Sequence, residues 1–66
     1  MSWIRAADGE TWINLDRATR AWVAPCQKTP GHFIVAAEVD GACYQLGRDS
    51  HDSKALAEMV LKNYLS

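Results

Sequence analysis

The sequence predicts an α+β fold, a five-stranded antiparallel β-meander covered on one face by a single C-terminal α-helix. Three observations carry this prediction. Asp-Gly pairs at 8–9 and 40–41 each sit between runs that alternate apolar and polar residues, the signature of a β-hairpin. Residues 51–65 bring apolar side chains round at a helical period of 3.6. The chain has 66 residues, 48% of them hydrophobic, enough for one domain and one small core. The expected layout is a single domain over 1–66, with strands near 2–7, 10–15, 20–26, 32–39 and 42–47 and a helix near 51–65.

The first hairpin rests on Asp8-Gly9, which suits the two positive φ angles of a type I′ turn. A two-residue turn sets Ala7 opposite Glu10, Ala6 opposite Thr11, Arg5 opposite Trp12, Ile4 opposite Ile13 and Trp3 opposite Asn14. One face then carries Ile4, Ala6, Thr11, Ile13 and Leu15, the other Trp3, Arg5 and Trp12. Asp16 to Thr19 opens with a turn former and leaves no room for a helix, so it reads as a tight connection into strand three. Pro25 lacks a backbone donor and belongs at a margin or bulge, and Gln27 to Gly31 is a loop. Strand three has no internal mark of register, so either Trp22 or Val23 faces outward.

Phe33, Val35, Ala37 and Val39 alternate along strand four, Asp40-Gly41 repeats the type I′ signal, and strand five returns. That register places Val39 by Ala42, Ala37 by Tyr44 and Val35 by Leu46, all on one buried face. In the helix, Leu56, Met59, Val60, Asn63 and Tyr64 share a side with Ala57 at its margin, and Lys54, Glu58 and Lys62 fall opposite. Ser50 or Asp52 serves as the N-cap. This helix is the element that can cover the sheet, its own or a neighbour's by domain swapping.

Seven basic and eight acidic residues are interspersed, with a net charge of -1. That balance disfavours a polybasic nucleic-acid or membrane binder and an acidic mimic of DNA. No apolar run approaches the ~20 residues of a membrane span, and the first residues lack the pattern of a signal peptide. The expectation is a cytoplasmic protein with Met1 as its native start. A core this small leaves net stability within roughly 5 kcal/mol of zero, so burial gained by self-association would matter and a homodimer is expected.

Two cysteines and two histidines, spaced Cys26-x5-His32-x10-Cys43-x7-His51, lack the close ligand pairs of a structural zinc site. The register puts Cys26 and Cys43 at opposite ends of the sheet, ~20 Å apart at ~3.4 Å per residue, too far for a disulfide or a shared ion. Cys26 and His32 approach across a loop, without a third group to orient them and without a Gly-rich turn for an oxyanion. There is no phosphate-binding or dinucleotide motif and no placed carboxylate pair. The sequence therefore predicts no catalytic, cofactor-binding or metal residue and no enzyme.

The outer face carries the functional expectation. Three tryptophans is a high count for this length, and Trp3 and Trp12 flank Arg5 away from the helix, with Ile34, Ala36 and Cys43 continuing that face. A single helix covers one side of a sheet, so Trp3, Arg5, Trp12 and Ile34 are the expected protein interface, used either for homodimerisation or for a partner. The competing possibility is that the hairpin curls over a small cluster of its own, with Arg5 stacked on Trp12. A third uses the same aromatics to stack bases of single-stranded nucleic acid, with Arg5, Arg17, Arg20 and Lys28 on phosphates. Asp8, Glu10, Asp16 and Glu38 dilute that positive field, so nucleic acid is disfavoured.

In Asp8-Gly9-Glu10-Thr11-Trp12-Ile13-Asn14-Leu15-Asp16 a turn leads into an aromatic strand and an Asn/Asp exit, and then come two strands around a second turn and a terminal helix. That layout resembles the small flagellar and swarming-motility proteins of bacteria and many short bacterial and phage proteins. The long loop at Gln27 to Gly31 and the extra tryptophans depart from it. The resemblance implies architecture and no function. The expected role is a small non-enzymatic regulator, adaptor or inhibitor that works by protein contact. Its size also suits a phage or mobile-element protein that blocks a host complex, such as an anti-CRISPR.

Overall fold

A computed structural model of the chain describes residues 3–65. The element order is β1 (Trp3–Arg5), β2 (Trp12–Asn14), a 3₁₀ turn (Leu15–Arg17), β3 (Ala18–Pro25), β4 (Phe33–Val39), β5 (Ala42–Gln45) and α1 (Lys54–Leu65). The expected start of the first strand, Ser2, lies outside the described residues. The α+β layout with one helix holds, but the strands form two antiparallel sheets, β1-β2 and β3-β4-β5, instead of one five-strand meander.

The correction comes from the connection after β2. Asn14 turns its side-chain oxygen onto the Asp16 N–H at 3.0 Å and caps the 3₁₀ turn, which breaks the pairing of β2 with β3 that a meander requires. The hairpin instead meets the other edge of the three-stranded sheet. Ala6 and Leu46 form an isolated antiparallel bridge, flanked by Ala7 N–H to Gln45 C=O at 3.1 Å and Gly47 N–H to Arg5 C=O at 3.0 Å.

Within the hairpin the register is the expected one: Trp3 pairs with Asn14, Ile4 with Ile13 and Arg5 with Trp12. Its turn is different. Gly9 alone is left-handed, at φ 78°, and its N–H closes on the Ala6 carbonyl at 3.0 Å, so the loop is longer than a type I′ turn. The Asp8 side chain takes the N–H groups of Glu10 and Thr11, at 2.8 and 2.9 Å, which a two-residue turn would have left to the backbone. The second hairpin does use the type I′ turn, with Asp40 at φ 53° and Gly41 at φ 83°, and Val39 pairs with Ala42 and Ala37 with Tyr44 as expected.

Strand β3 resolves the open register: Val23 pairs with Val35 and turns toward the helix, whereas Trp22 pairs with Ala36 on the outer face. A bulge at Thr19 shifts the pairing between Ala18 and Arg20. The core is formed by Ala6, Ile13 and Leu15 from the hairpin side, Val35, Ala37 and Val39 of β4, Leu46 and Ala57.

The helix starts later than expected and turns another face inward. His51 extends the sheet by pairing with Phe33, through bonds of 2.7 and 2.8 Å, and Ser53 caps α1 by accepting from Leu56 N–H at 3.1 Å. Ser50 and Asp52 are not the cap. Ala57 is fully buried over β3 and β4, with Val60, Leu61 and Tyr64 half-buried beside it, while Leu56 is 42% and Met59 62% exposed. Both stripes of this helix are apolar, so periodicity does not choose between them. The stripe that faces the sheet is the one centred on the small, fully buried Ala57.

Candidate functional site

The tryptophan face is built by hairpin parity. Alternation along β1 and β2 sends Ile4, Ala6 and Ile13 into the core and leaves Trp3, Arg5 and Trp12 outward. Trp3 is 50% and Trp12 55% exposed. Arg5 is the cross-strand partner of Trp12 and lays its guanidinium over the indole, 4.9 Å from the ring centroid. The two indoles border a cleft of about 440 Å³ whose other walls include Asn14, Arg17, Asp40 and Tyr44. Arg17 reaches Asp40 at 3.0 Å across its rim, an exposed pair that orders the side chains and adds little stability.

Ile34 does not join this group. It lies on β4 opposite Ala24, across β5 from the hairpin, and lines a separate cleft of about 540 Å³ with Ala24, Cys26, Lys28, Gln45 and Arg48. Beside it the outer face covers itself. Ala36 is buried between its partners Trp22 and Gln45, and Arg20 stacks on Trp22 at 4.6 Å. The expected face is thus divided into an open hairpin end and a partly covered sheet.

The cysteines and histidines fall apart as a set. Both thiols are free, with Cys26 half-buried and Cys43 exposed. Cys43 pairs with Glu38 at one end of β4, and Cys26 donates its N–H to the His32 carbonyl at 2.8 Å beyond the other. His51, paired with Phe33, projects to the opposite side of the sheet from His32. Among the described residues no three His, Cys, Asp or Glu side chains gather as metal ligands. One contact escaped the sequence: His32 Nδ1 lies 2.9 Å from Ser50 Oγ, so the His32 imidazole does have an orienting group. His32 and Ser50 are eighteen positions apart and meet only because His51 pairs with Phe33, a contact without a local sequence signal.

Among the described residues the clear electrostatic perturbation lies at the hairpin turn. Asp8 accepts from Thr11 Oγ1 at 2.6 Å and from the Thr11 and Glu10 N–H groups, and these bonds hold its pKa down to about 2 from 3.8. Arg48 lies against the same turn, where its Nη2 would stand 2.6 Å from a Cβ at residue 9; that flexible end can move aside, and it is the φ of 78° that favours glycine there. No helix among the described residues is long and apolar enough to cross a membrane. Comparison of the chain with protein-family models, with curated proteins and with solved structures returns no match.

Proposed function

We propose that the chain is a small non-enzymatic protein-interaction module, acting as a regulator, adaptor or inhibitor, and that Trp3, Arg5 and Trp12 are its contact surface. The observation that carries this reading is the pair of half-exposed indoles on one short hairpin, with Arg5 stacked on one of them. Tryptophan and arginine are the residue types that dominate binding energy at interfaces. A stacked guanidinium and a paired hairpin also lose little conformational freedom on binding. The cleft beside them takes an apolar side chain of the partner, with Asn14, Arg17 and Asp40 as the polar rim.

The test is affinity capture from source-cell lysate, with wild type and a Trp3→Ser/Trp12→Ser variant of unchanged circular dichroism as bait. A protein held by the wild type, lost by the variant and then bound as a purified pair supports the reading. Equal retention on both baits removes the tryptophan face as the site. Titration of a labelled single-stranded oligonucleotide covers the alternative, since binding that weakens steeply with salt and with Arg5→Ala would replace a protein partner by nucleic acid. Alkylation of Cys26 at the rate of an ordinary thiol would set aside nucleophilic chemistry at Cys26.

A further inference from the structure

Strand β3 is the outer strand of its sheet, and its register fixes which backbone groups are free. Cys26 N–H bonds to the His32 carbonyl, while Leu46 N–H bonds to the Val35 carbonyl on the other side of β4. Even-numbered residues of β4 therefore face β3, and their partners Trp22 and Ala24 spend their N–H and C=O groups on that ladder. Ala21 and Val23 point theirs the other way, where no strand pairs with β3 among the described residues. Pro25 has the same outward parity, which explains why a proline is tolerated there: the missing N–H belongs to the free edge.

This edge is blunted at both ends and open in the middle. The bulge at Thr19 closes one end and Pro25 the other, leaving a regular window from Arg20 to Ala24 centred on Trp22. We propose that this window pairs with the same window of a second copy, antiparallel about a two-fold axis at Trp22. In that register Ala21 and Val23 of each copy exchange both hydrogen bonds with Val23 and Ala21 of the other, so every free group in the window finds a partner. Trp22 meets Trp22 at the axis, a close non-hydrogen-bonded position suited to an aromatic pair. Arg20 falls opposite Ala24, so no like charges face one another. A window centred on any other residue would run into the bulge or spend the donorless Pro25 on a ladder position. The second copy is thus an occupant that matches the edge in donors, acceptors and symmetry without setting like charges opposite one another. The two helices, each over its own β3 and β4, come to lie on the same side of a continuous sheet. The tryptophan hairpins, bridged to the β5 side, stay free at its far ends.

Sedimentation equilibrium and cross-linking test the register. Ala21→Pro removes only an outward N–H, as Pro25 already does, and weakens self-association by roughly a hundredfold with unchanged circular dichroism. In a Cys26→Ser/Cys43→Ser background, Trp22→Cys forms an intermolecular disulfide on oxidation with oxidised glutathione, because facing Cα atoms at such a position stand about 4.5 Å apart. Ala24→Cys in the same background, offset from the axis, is the control. A monomeric wild type, a folded Ala21→Pro dimer, or Trp22→Cys cross-linking no faster than the control overturns the proposal. If Ala21→Pro does not fold, the cross-linking comparison decides.

Discussion

The antiparallel bridge between Ala6 and Leu46 joins the N-terminal hairpin to the three-stranded sheet. Both residues are buried in the common core, where Ile13 and Leu15 from the hairpin side also pack. Leu46 is 2% exposed, and Leu46→Ala removes its side chain from the centre of that contact. A loss of about 3 kcal/mol in urea unfolding is expected. The half-exposed Leu56→Ala should lose under about 1 kcal/mol in the same assay.

Asp8 makes the hairpin turn sensitive to acid. Its pKa is lowered to about 2 in the folded chain, chiefly by the Thr11 hydroxyl and then by the Thr11 and Glu10 N–H groups. A carboxylate lowered on folding contributes stability that is present above its unfolded value of 3.8 and lost as pH falls through about 2. Carbon-13 titration of the Asp8 carboxyl should therefore give a midpoint near 2, and Thr11→Val should move it up toward 3.8. An unchanged midpoint in Thr11→Val would remove the hydroxyl as the main cause.

Gly47 links the end of β5 to the helix. It has φ 77°, and a Cβ there would lie 2.9 Å from the Tyr64 hydroxyl. Gly47→Ala carries both the left-handed strain, about 1–2 kcal/mol, and the collision with Tyr64. Adding Tyr64→Phe removes the hydroxyl and should recover the steric part alone. Thermal unfolding of the single and double variants separates the two: full recovery would mean that backbone strain is absent.

The inward face of the helix is tested by opposite responses at neighbouring positions. Ala57 has no accessible surface, and Ala57→Leu should destabilise by about 1–3 kcal/mol through overpacking. Met59→Lys, on the exposed side, should stay within about 0.5 kcal/mol. Chemical denaturation that reversed this order would turn the Leu56 and Met59 stripe inward instead.

Local pairings were legible in the sequence and their assembly was not. Asp40-Gly41 and the alternation around it specify the second hairpin down to its residue pairs, because turn chemistry and pattern act over the same few residues. The first hairpin kept its register although its turn differs, since burial of Ile4 and Ile13 fixes the same pairing whatever closes the loop. Sheet order depends on Ala6 meeting Leu46, forty residues away, and neither carries a mark of its neighbour. The start of the helix moved because His51, on the expected helix, gained a partner in Phe33. Of the candidate face, Trp3, Arg5 and Trp12 followed from hairpin parity, whereas Ile34 lies beyond β5, a separation set by that same long-range bridge.

Sedimentation equilibrium of the wild type, Ala21→Pro and Trp3→Ser/Trp12→Ser tests whether self-pairing and partner binding use separate surfaces. Dimers are expected for the wild type and the tryptophan variant, and a folded monomer for Ala21→Pro. A monomeric tryptophan variant beside a dimeric Ala21→Pro would contradict that expectation, because the hairpin face would then be the self-contact and closed to any other protein.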